Sequence, residues 1–252
     1  MKSITTFLIL LSFTVYSQNN GKIEYKTFLS FGTNIEYNSS LFFDNENSLF
    51  SYKVKDKGIY ESSENPFETN TIMIDTTTNV VYINKNKSLL FENHNKAEEN
   101  YFSYEKIPQL KWEILSKTKI FNNITCLQAK TNFRGRVYYA WYAPTIPVSY
   151  GPWKLNGLPG LIIEAYDETK EVIFQFNKIK IPFQYDFTKI NEEINKSTNI
   201  SLSEYLKNRK NIDKVDLKNK IKTKFPRGIS VKIEIKRTGI ELNFNDILDD
   251  KN

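Results

Sequence analysis

The chain has 252 residues and a formal net charge of +6, and it contains a single cysteine and a single histidine. One cysteine cannot form an internal disulfide and one histidine cannot supply a histidine-rich metal site, so disulfide scaffolds and most zinc sites are excluded. The 15 Tyr, 18 Phe and 3 Trp supply enough apolar surface for a folded core, which argues against disorder.

Residues 1–17 have the pattern of a secretory signal peptide. Lys2 gives a basic start, Thr5–Val15 is the apolar stretch, and Ser17 is a small residue at the expected cleavage point. The apolar run is too short to span a bilayer as a stable helix. We therefore expect an exported protein without a transmembrane span in its mature form, located in the periplasm, on the outer-membrane surface or outside the cell.

Residues 18–252 are expected to form a single β-rich domain. Short β-rich segments recur from Lys22–Phe28 to Ser88–Phe91, and turns rich in Asn and Asp, such as residues 44–47, separate them. Longer strands follow at Thr125–Phe133 and Val137–Ala143. Hairpins joined in sequence predict a mainly β protein with one curved antiparallel sheet. If the curvature is strong, such a sheet forms a half-barrel.

Two polar segments, Tyr52–Asn70 and Glu92–Asn100, are expected to be surface loops. The second contains His94, flanked by asparagines and without a neighbouring base or nucleophile in the sequence. We therefore predict an exposed loop histidine.

One region has a helical pattern. Ser201 and Glu204 fit a capping box, and Leu202, Tyr205 and Leu206 follow at helical spacing. This predicts a helical insertion at about residues 201–224, packed on the concave side of the sheet. After it, Ile229–Lys236 alternates between apolar and polar residues and Ile240–Phe244 is apolar, so both are predicted to be strands.

Glycine and proline are concentrated in residues 144–160. Leu158-Pro159-Gly160-Leu161 has the signature of a type II turn, because proline presets the first turn dihedral and glycine tolerates a positive one. Trp153 lies in the middle of this loop. A tryptophan there either packs over the sheet or stacks on a ligand, and packing is the commoner role.

The loop contains Gly151-Pro152 and the run Gly157-Leu158-Pro159-Gly160-Leu161-Ile162, and the preceding hairpin contains Arg134-Gly135-Arg136. In these stretches the chain resembles the GLPGLI family of exported proteins from Gram-negative bacteria. The resemblance implies an envelope or extracellular location and carries no established reaction. The order of strands and helix is also similar, more loosely, to that of lipoprotein-carrier proteins, whose curved sheet encloses an apolar cavity. The residues of the family motif are Arg134, Gly135, Arg136, Gly151, Pro152, Gly157, Leu158, Pro159, Gly160, Leu161 and Ile162.

The sequence offers little catalytic chemistry. A serine or cysteine nucleophile needs a base that a carboxylate orients, and the single histidine and the absence of a Gly-x-Ser-x-Gly motif argue against one. Glu164 and Asp167 are the remaining candidates for a general acid and base. No metal site or cofactor is expected.

The leading hypothesis is a non-enzymatic envelope protein, a binding or chaperone-like module for a peptide, a lipid-like ligand or a partner protein. The aromatic content motivates the binding role, and export makes nucleic acid an improbable partner. The alternatives are a structural or secreted surface protein with a filled core, and an enzyme that uses paired carboxylates. The candidate contact residues are Tyr139, Trp141, Trp153 and Lys154.

Overall fold

The computed structural model describes residues 19–55, 60–62, 70–72, 77–96, 99–209 and 239–248. The predicted signal peptide at 1–17, the second part of the predicted helical insertion and the predicted strand at 229–236 lie outside the described residues.

Fourteen strands are described, and twelve of them form one sheet. The first eight are β1 (Gly21–Ser30), β2 (Asn34–Phe43), β3 (Asn47–Val54), β4 (Tyr60–Ser62), β5 (Asn70–Ile72), β6 (Asn79–Asn84), β7 (Leu89–Lys96) and β8 (Glu99–Lys106). The others are β9 (Glu113–Phe121), β10 (Ile124–Phe133), β11 (Arg136–Ala143), β12 (Leu161–Asp167), β13 (Val172–Lys180) and β14 (Thr198–Ser201).

The large sheet consists of two consecutive meanders that meet where β1 pairs with β13. Its strand order is β14-β8-β7-β6-β3-β2-β1-β13-β12-β11-β10-β9, while β4 and β5 form a separate two-stranded sheet. All neighbours in the large sheet are antiparallel except β14, which pairs with β8 in the parallel direction. The protein is therefore mainly β, as the sequence predicts, and its twelve-stranded sheet is not closed into a barrel.

The inner face of the sheet carries the main core. Along β1, alternate side chains from Ile23 to Leu29 are buried, because successive residues of a strand point to opposite faces. The loop of residues 144–160 covers this face and contributes to the same core. The inner face is thus filled by the chain's own side chains; those from the loop are Val148, Tyr150, Trp153, Leu155 and Leu158.

A helix that the sequence pattern does not predict covers part of the outer face. Helix α1 (Thr188–Lys196) buries Ile190 and Ile194 against Tyr82 and Phe91. The two isoleucines are four residues apart and therefore lie on one side of the helix. That spacing is the sequence signal for α1. With only two apolar residues among polar ones, the pattern is too short to predict a helix.

The described part of the predicted helical insertion is helix α2, residues 202–209. Its start agrees with the predicted cap, because the Glu204 N–H donates to Ser201 Oγ at 3.2 Å. Tyr205 of α2 stacks on His94 with the ring centroids 3.9 Å apart. His94 lies on the same face of β7 as Leu90, so α2 packs on the inner face of the sheet.

Two predictions of local structure were wrong. Residues 92–100 are mostly strand, because β7 and β8 pair as a hairpin through this segment. Ile240–Phe244 is not a strand and leads into the short helix α3 (Asn245–Leu248). Local patterning reveals neither the pairing of β7 with β8 nor the hydrogen bonds from the Leu242 and Asn243 N–H groups to the Arg134 carbonyl oxygen. None of the helices among the described residues is long and apolar enough to cross a membrane.

Candidate functional site

The motif hairpin of β10 and β11 ends in a two-residue turn. Arg134 and Gly135 both have positive φ, 49° and 85°, and Phe133 pairs with Arg136 across the turn. This is the geometry of a type I′ hairpin turn, which matches the natural twist of the strands. The left-handed conformation is unfavourable for arginine. Contacts of the arginine side chain with other parts of the chain offset that cost.

The turn is the docking point of residues 239–248, which we call the strap. The Arg134 carbonyl oxygen accepts hydrogen bonds from the N–H groups of Leu242 and Asn243, at 2.8 and 3.1 Å. The Arg136 guanidinium donates to the carbonyl oxygen of Gly239, at 2.7 Å from Nη2. Backbone groups of Gly239, Leu242 and Asn243 in the strap are thus bound by the motif hairpin.

Five side chains form what we call the charge cluster. Lys154 Nζ, with no exposed surface, lies 2.8 Å from Glu92, 3.1 Å from Glu105 and 3.0 Å from Glu241. Arg134 contacts Glu105 at 2.5 Å and Glu241 at 3.0 Å. Two cations therefore hold three carboxylates away from bulk water. Asp246 adds a fourth carboxylate at 2.9 Å from Arg134 Nε, and more than half of its side chain is exposed.

The charge cluster joins the two ends of the sheet. Glu92 lies on β7 and Glu105 on β8, whereas Arg134 lies at the turn of β10 and β11 near the opposite end of the strand order. Direct contact between these strands requires strong curvature of the sheet. The cluster and the strap therefore close the open side of the curved sheet.

Burial and mutual attraction shift the pKa values within the cluster. Burial is the largest effect on Glu241 and, with the repulsion from Glu92, raises its pKa to about 7 although Lys154 opposes the shift. Burial also acts to raise the pKa of Glu92, but Lys154 and His94 outweigh it and bring that pKa below its usual value. Burial lowers the Lys154 pKa, but the three glutamates raise it well above the ordinary value. Glu241 therefore binds a proton more readily than an exposed glutamate does.

Arg136 forms a second buried ion pair. Its Nη1 lies 2.6 Å from Asp167 and 2.7 Å from Glu171. Asp167 also accepts hydrogen bonds from the backbone N–H of Val172 and the hydroxyl of Thr169. The Asp167 carboxylate thus fixes the turn between β12 and β13 and the position of Arg136.

The predicted acid pair, Glu164 and Asp167, is not brought together. Glu164 forms an ion pair with Lys119 at 3.0 Å on the outer face. Asp167 lies three residues along β12 and faces the inner side with Tyr138. The carboxylates that do converge are those of the charge cluster. No group of three or more His, Cys, Asp and Glu side chains within the described ranges is arranged to hold a metal ion.

His94 is not the exposed loop residue that the sequence predicts. It lies on β7, where its Nε2 is 2.8 Å from the hydroxyl of Ser103 on β8 and its ring stacks on Tyr205. Burial is the largest effect on its pKa, which is lowered although Glu92 opposes the shift. The histidine is therefore a packed residue at the base of α2.

The four predicted contact residues divide between the two faces of the sheet. Trp153, with 2% of its surface exposed, packs on the inner face against Phe133 and Tyr138. Next to it, Lys154 belongs to the charge cluster. Tyr139 and Trp141 alternate with Tyr138 and so face outward, where Tyr139 stacks on Tyr166. The four side chains therefore do not share one site, and the burial of Trp153 favours its packing role.

A groove of about 570 Å³ lies beside the motif turn. One wall is the irregular connection between β8 and β9, and the other is formed by the turn and the strap. The motif turn therefore lines a groove that is open to solvent. Its lining residues are Pro108, Gln109, Leu110, Lys111, Asn132, Phe133, Arg134, Gly135, Asn243 and Asp246.

The two glycines of the Gly157–Ile162 motif serve different purposes. Gly157 has φ of +90° with open space around it, so its role is conformational. A Cβ on Gly160 would lie within 2.7 Å of the Ala143 carbonyl carbon and closer still to its oxygen. Gly160 therefore permits a close approach between the loop and the end of β11.

We expect Gly160→Asn to lower the free energy of unfolding by about 1–3 kcal/mol, because the backbone of Ala143 must move. Gly157→Asn is the matched control and should cost less, since asparagine adopts positive φ readily and finds space there. Urea denaturation of both variants measures the difference. Equal losses would show that conformation, not close approach, explains both glycines.

Residues 68–164 match the model of a family described as "Protein of unknown function (Porph_ging)". The match covers less than half of the chain and contains the motif hairpin, Lys154 and the two glutamates of β7 and β8. No curated protein matches the chain.

Two solved structures are similar in fold, both of PNGF-II. The structure in space group C2 has a TM-score of 0.52 at 14% identity, and the structure in space group P21 has a TM-score of 0.50 at 15% identity. Each match covers 75% of this chain and 32% of the PNGF-II chain. The chain thus spans about a third of the length of these proteins, and the likeness shows a shared β-rich fold.

The sequence identified the two arginines of this site as motif residues and Lys154 as a candidate contact residue, but not their partners. Glu92, Glu105 and Glu241 lie in three separate segments. Glu105 follows the aromatic residues of β8, and a charge in such a strand requires a partner, which is the signal that could have drawn attention to it. Glu92 begins a polar stretch and gives no such signal.

Proposed function

We propose that this chain is an exported, non-enzymatic binding module of the GLPGLI family that holds an extended peptide segment of an envelope partner protein. The observation that carries the proposal is the groove beside the Arg134–Gly135 turn. The groove combines apolar surface from Leu110 and Phe133 with the amide groups of Gln109 and Asn132. A mixed lining of this kind is typical of sites that bind and orient a ligand.

An extended peptide fits this groove better than a compact ligand because β9 continues from it. Lys111 lines the groove, and β9 starts at Glu113 and forms one end of the large sheet. Within the described part of the chain, no strand pairs with the outer side of β9. Its free N–H and C=O groups can pair with an added strand while the groove accepts side chains.

The filled inner face is the reason for preferring a peptide to a lipid-like ligand. The core that Trp153, Leu155 and Leu158 complete occupies the position that an apolar ligand would need. Tyr139 and Trp141, on the outer face, stay predicted contact residues, and export by the signal peptide stays part of the proposal.

The test is photocrosslinking of the mature protein in its native envelope. A photoreactive residue at Gln109, in the groove, should give a crosslink to protein, while the same residue at Lys189, exposed on α1, should not. Filling the groove with Asn132→Trp should abolish the Gln109 crosslink, whereas Lys189→Trp should leave it unchanged. Equal crosslinking from both positions, an adduct that contains lipid instead of peptide, or a crosslink that survives Asn132→Trp would overturn the proposal.

A further inference from the structure

The strap brings an excess carboxylate into the charge cluster. Without Glu241, the buried part of the cluster contains two cations, Lys154 and Arg134, and two anions, Glu92 and Glu105. Glu241 docks as a third anion at 3.0 Å from both cations. An unbalanced charge away from bulk water is costly, and a carboxylic acid removes that cost by binding a proton.

We propose that docking of the strap takes up one proton, so that the strap is held more firmly in mildly acidic than in mildly alkaline solution. The strap also forms part of the wall of the groove through Asn243 and Asp246. Release of the strap at higher pH would therefore change the shape of the groove. An effect of pH on peptide binding in the groove rests on the proposed function.

The groups that face Glu241 come from several elements. Lys154 and Glu92 keep their charges in the mildly acidic to mildly alkaline range, because the Lys154 pKa is raised and the Glu92 pKa is lowered. Burial raises the pKa of Tyr52 and Tyr138, so both phenols stay neutral. Within the described ranges these groups are Lys154 from the loop, Arg134 from the motif turn, Tyr52 from β3, Glu92 from β7, Glu105 from β8 and Tyr138 from β11, with Asp246 on the strap itself.

The sign of the dependence follows from the direction of the Glu241 shift. Its pKa is raised from 4.5 to about 7 in the folded chain, so the docked state binds the proton more tightly than the released state. The stabilisation of docking by this proton is then fully present below about pH 4.5, and it decreases as the pH rises to about 7. His94 acts in the opposite direction, because its lowered pKa favours the folded state above its ordinary pKa of 6.5.

Hydrogen exchange of the mature protein tests the proposal directly. The N–H groups of Leu242 and Asn243 donate to Arg134 and report docking. After correction for the intrinsic exchange rate, their protection should decrease by up to about tenfold per pH unit between pH 5 and 7. In Glu241→Gln, which carries a neutral side chain of the same shape, this dependence should disappear.

Two further variants assign the proton. Asp246→Asn should retain the dependence, because Asp246 is largely exposed. His94→Gln should retain or steepen it, because the opposing group is removed. A protection that does not vary with pH in the unmodified chain, or a dependence that survives Glu241→Gln, would overturn the inference. The crosslinking experiment is independent, so a negative result there would leave the pH dependence of the strap intact.

Discussion

Replacing Lys154 by methionine is expected to destabilise the fold by about 3–5 kcal/mol at neutral pH. The substitution keeps the length of the side chain and removes the ammonium that contacts Glu92, Glu105 and Glu241. Arg134 alone cannot neutralise three carboxylates. Because breaking a buried ion pair leaves an uncompensated charge, the loss should be much larger than that of a surface pair.

The matched control is Lys119→Met on the outer face. Lys119 pairs with Glu164 at 3.0 Å, but its side chain is 45% exposed, so water screens the interaction. Its replacement should cost about 1 kcal/mol or less. Urea denaturation at pH 7 compares the two variants. If both lose the same stability, the charge cluster contributes no more than an exposed pair.

The pH dependence of the Lys154→Met variant provides a second measurement. Without the ammonium, the glutamates of the cluster protonate more readily, and protonation relieves their repulsion. The loss of stability should therefore be smaller at pH 5 than at pH 8. A loss that is independent of pH would point to altered packing instead of unpaired charge.

Truncation of Trp153 to alanine should cost about 3–5 kcal/mol. The indole is almost fully buried, and its ring centroid lies 5.5 Å from that of Phe133 and 6.1 Å from that of Tyr138. The positive φ of 55° at this residue is no easier for alanine than for tryptophan, so the expected loss arises from the cavity.

Ile120→Ala is the control for Trp153→Ala, because Ile120 is 69% exposed on the edge strand β9 and its truncation opens no cavity. Chemical denaturation gives the stability difference, and photocrosslinking from Gln109 in the folded fraction gives the binding readout. We expect stability to fall and crosslinking to persist. Lost crosslinking with unchanged stability would instead assign Trp153 to ligand contact.

The charge cluster explains why the motif hairpin has two arginines beside a glycine. Gly135 allows the tight turn, Arg134 reaches across the open side of the sheet, and Arg136 fixes the strap through its carbonyl oxygens. A hypothesis based on the motif alone assigns these residues to a family. Their contacts show that Arg134 joins the two ends of the curved sheet and that Arg136 binds the strap.

Several features of the fold were predictable because they depend on neighbours in sequence. The alternation in β1, the hairpin of β10 and β11, and the cap of α2 are local patterns, and the structure agrees with each. The loop around Trp153 was also predictable as an ordered turn, since proline and glycine restrict and release backbone dihedrals locally.

The errors share a physical cause. His94 was predicted to be exposed because its sequence neighbours are polar, but its partners Ser103 and Tyr205 come from β8 and α2. The predicted strand at Ile240–Phe244 had the right apolar composition. No strand of the described ranges pairs with it, and Arg134 and Arg136 hold it instead.

The sequence by itself determined the mainly β class, the succession of hairpins and the motif residues, because hydrophobic period and turn chemistry act over a few residues. Only the tertiary structure decided that the motif arginines and Lys154 meet Glu92, Glu105 and Glu241. Ion pairing away from water depends on which charges the curvature of the sheet brings within a few ångströms. That curvature is a property of twelve paired strands together and is not encoded in any single segment.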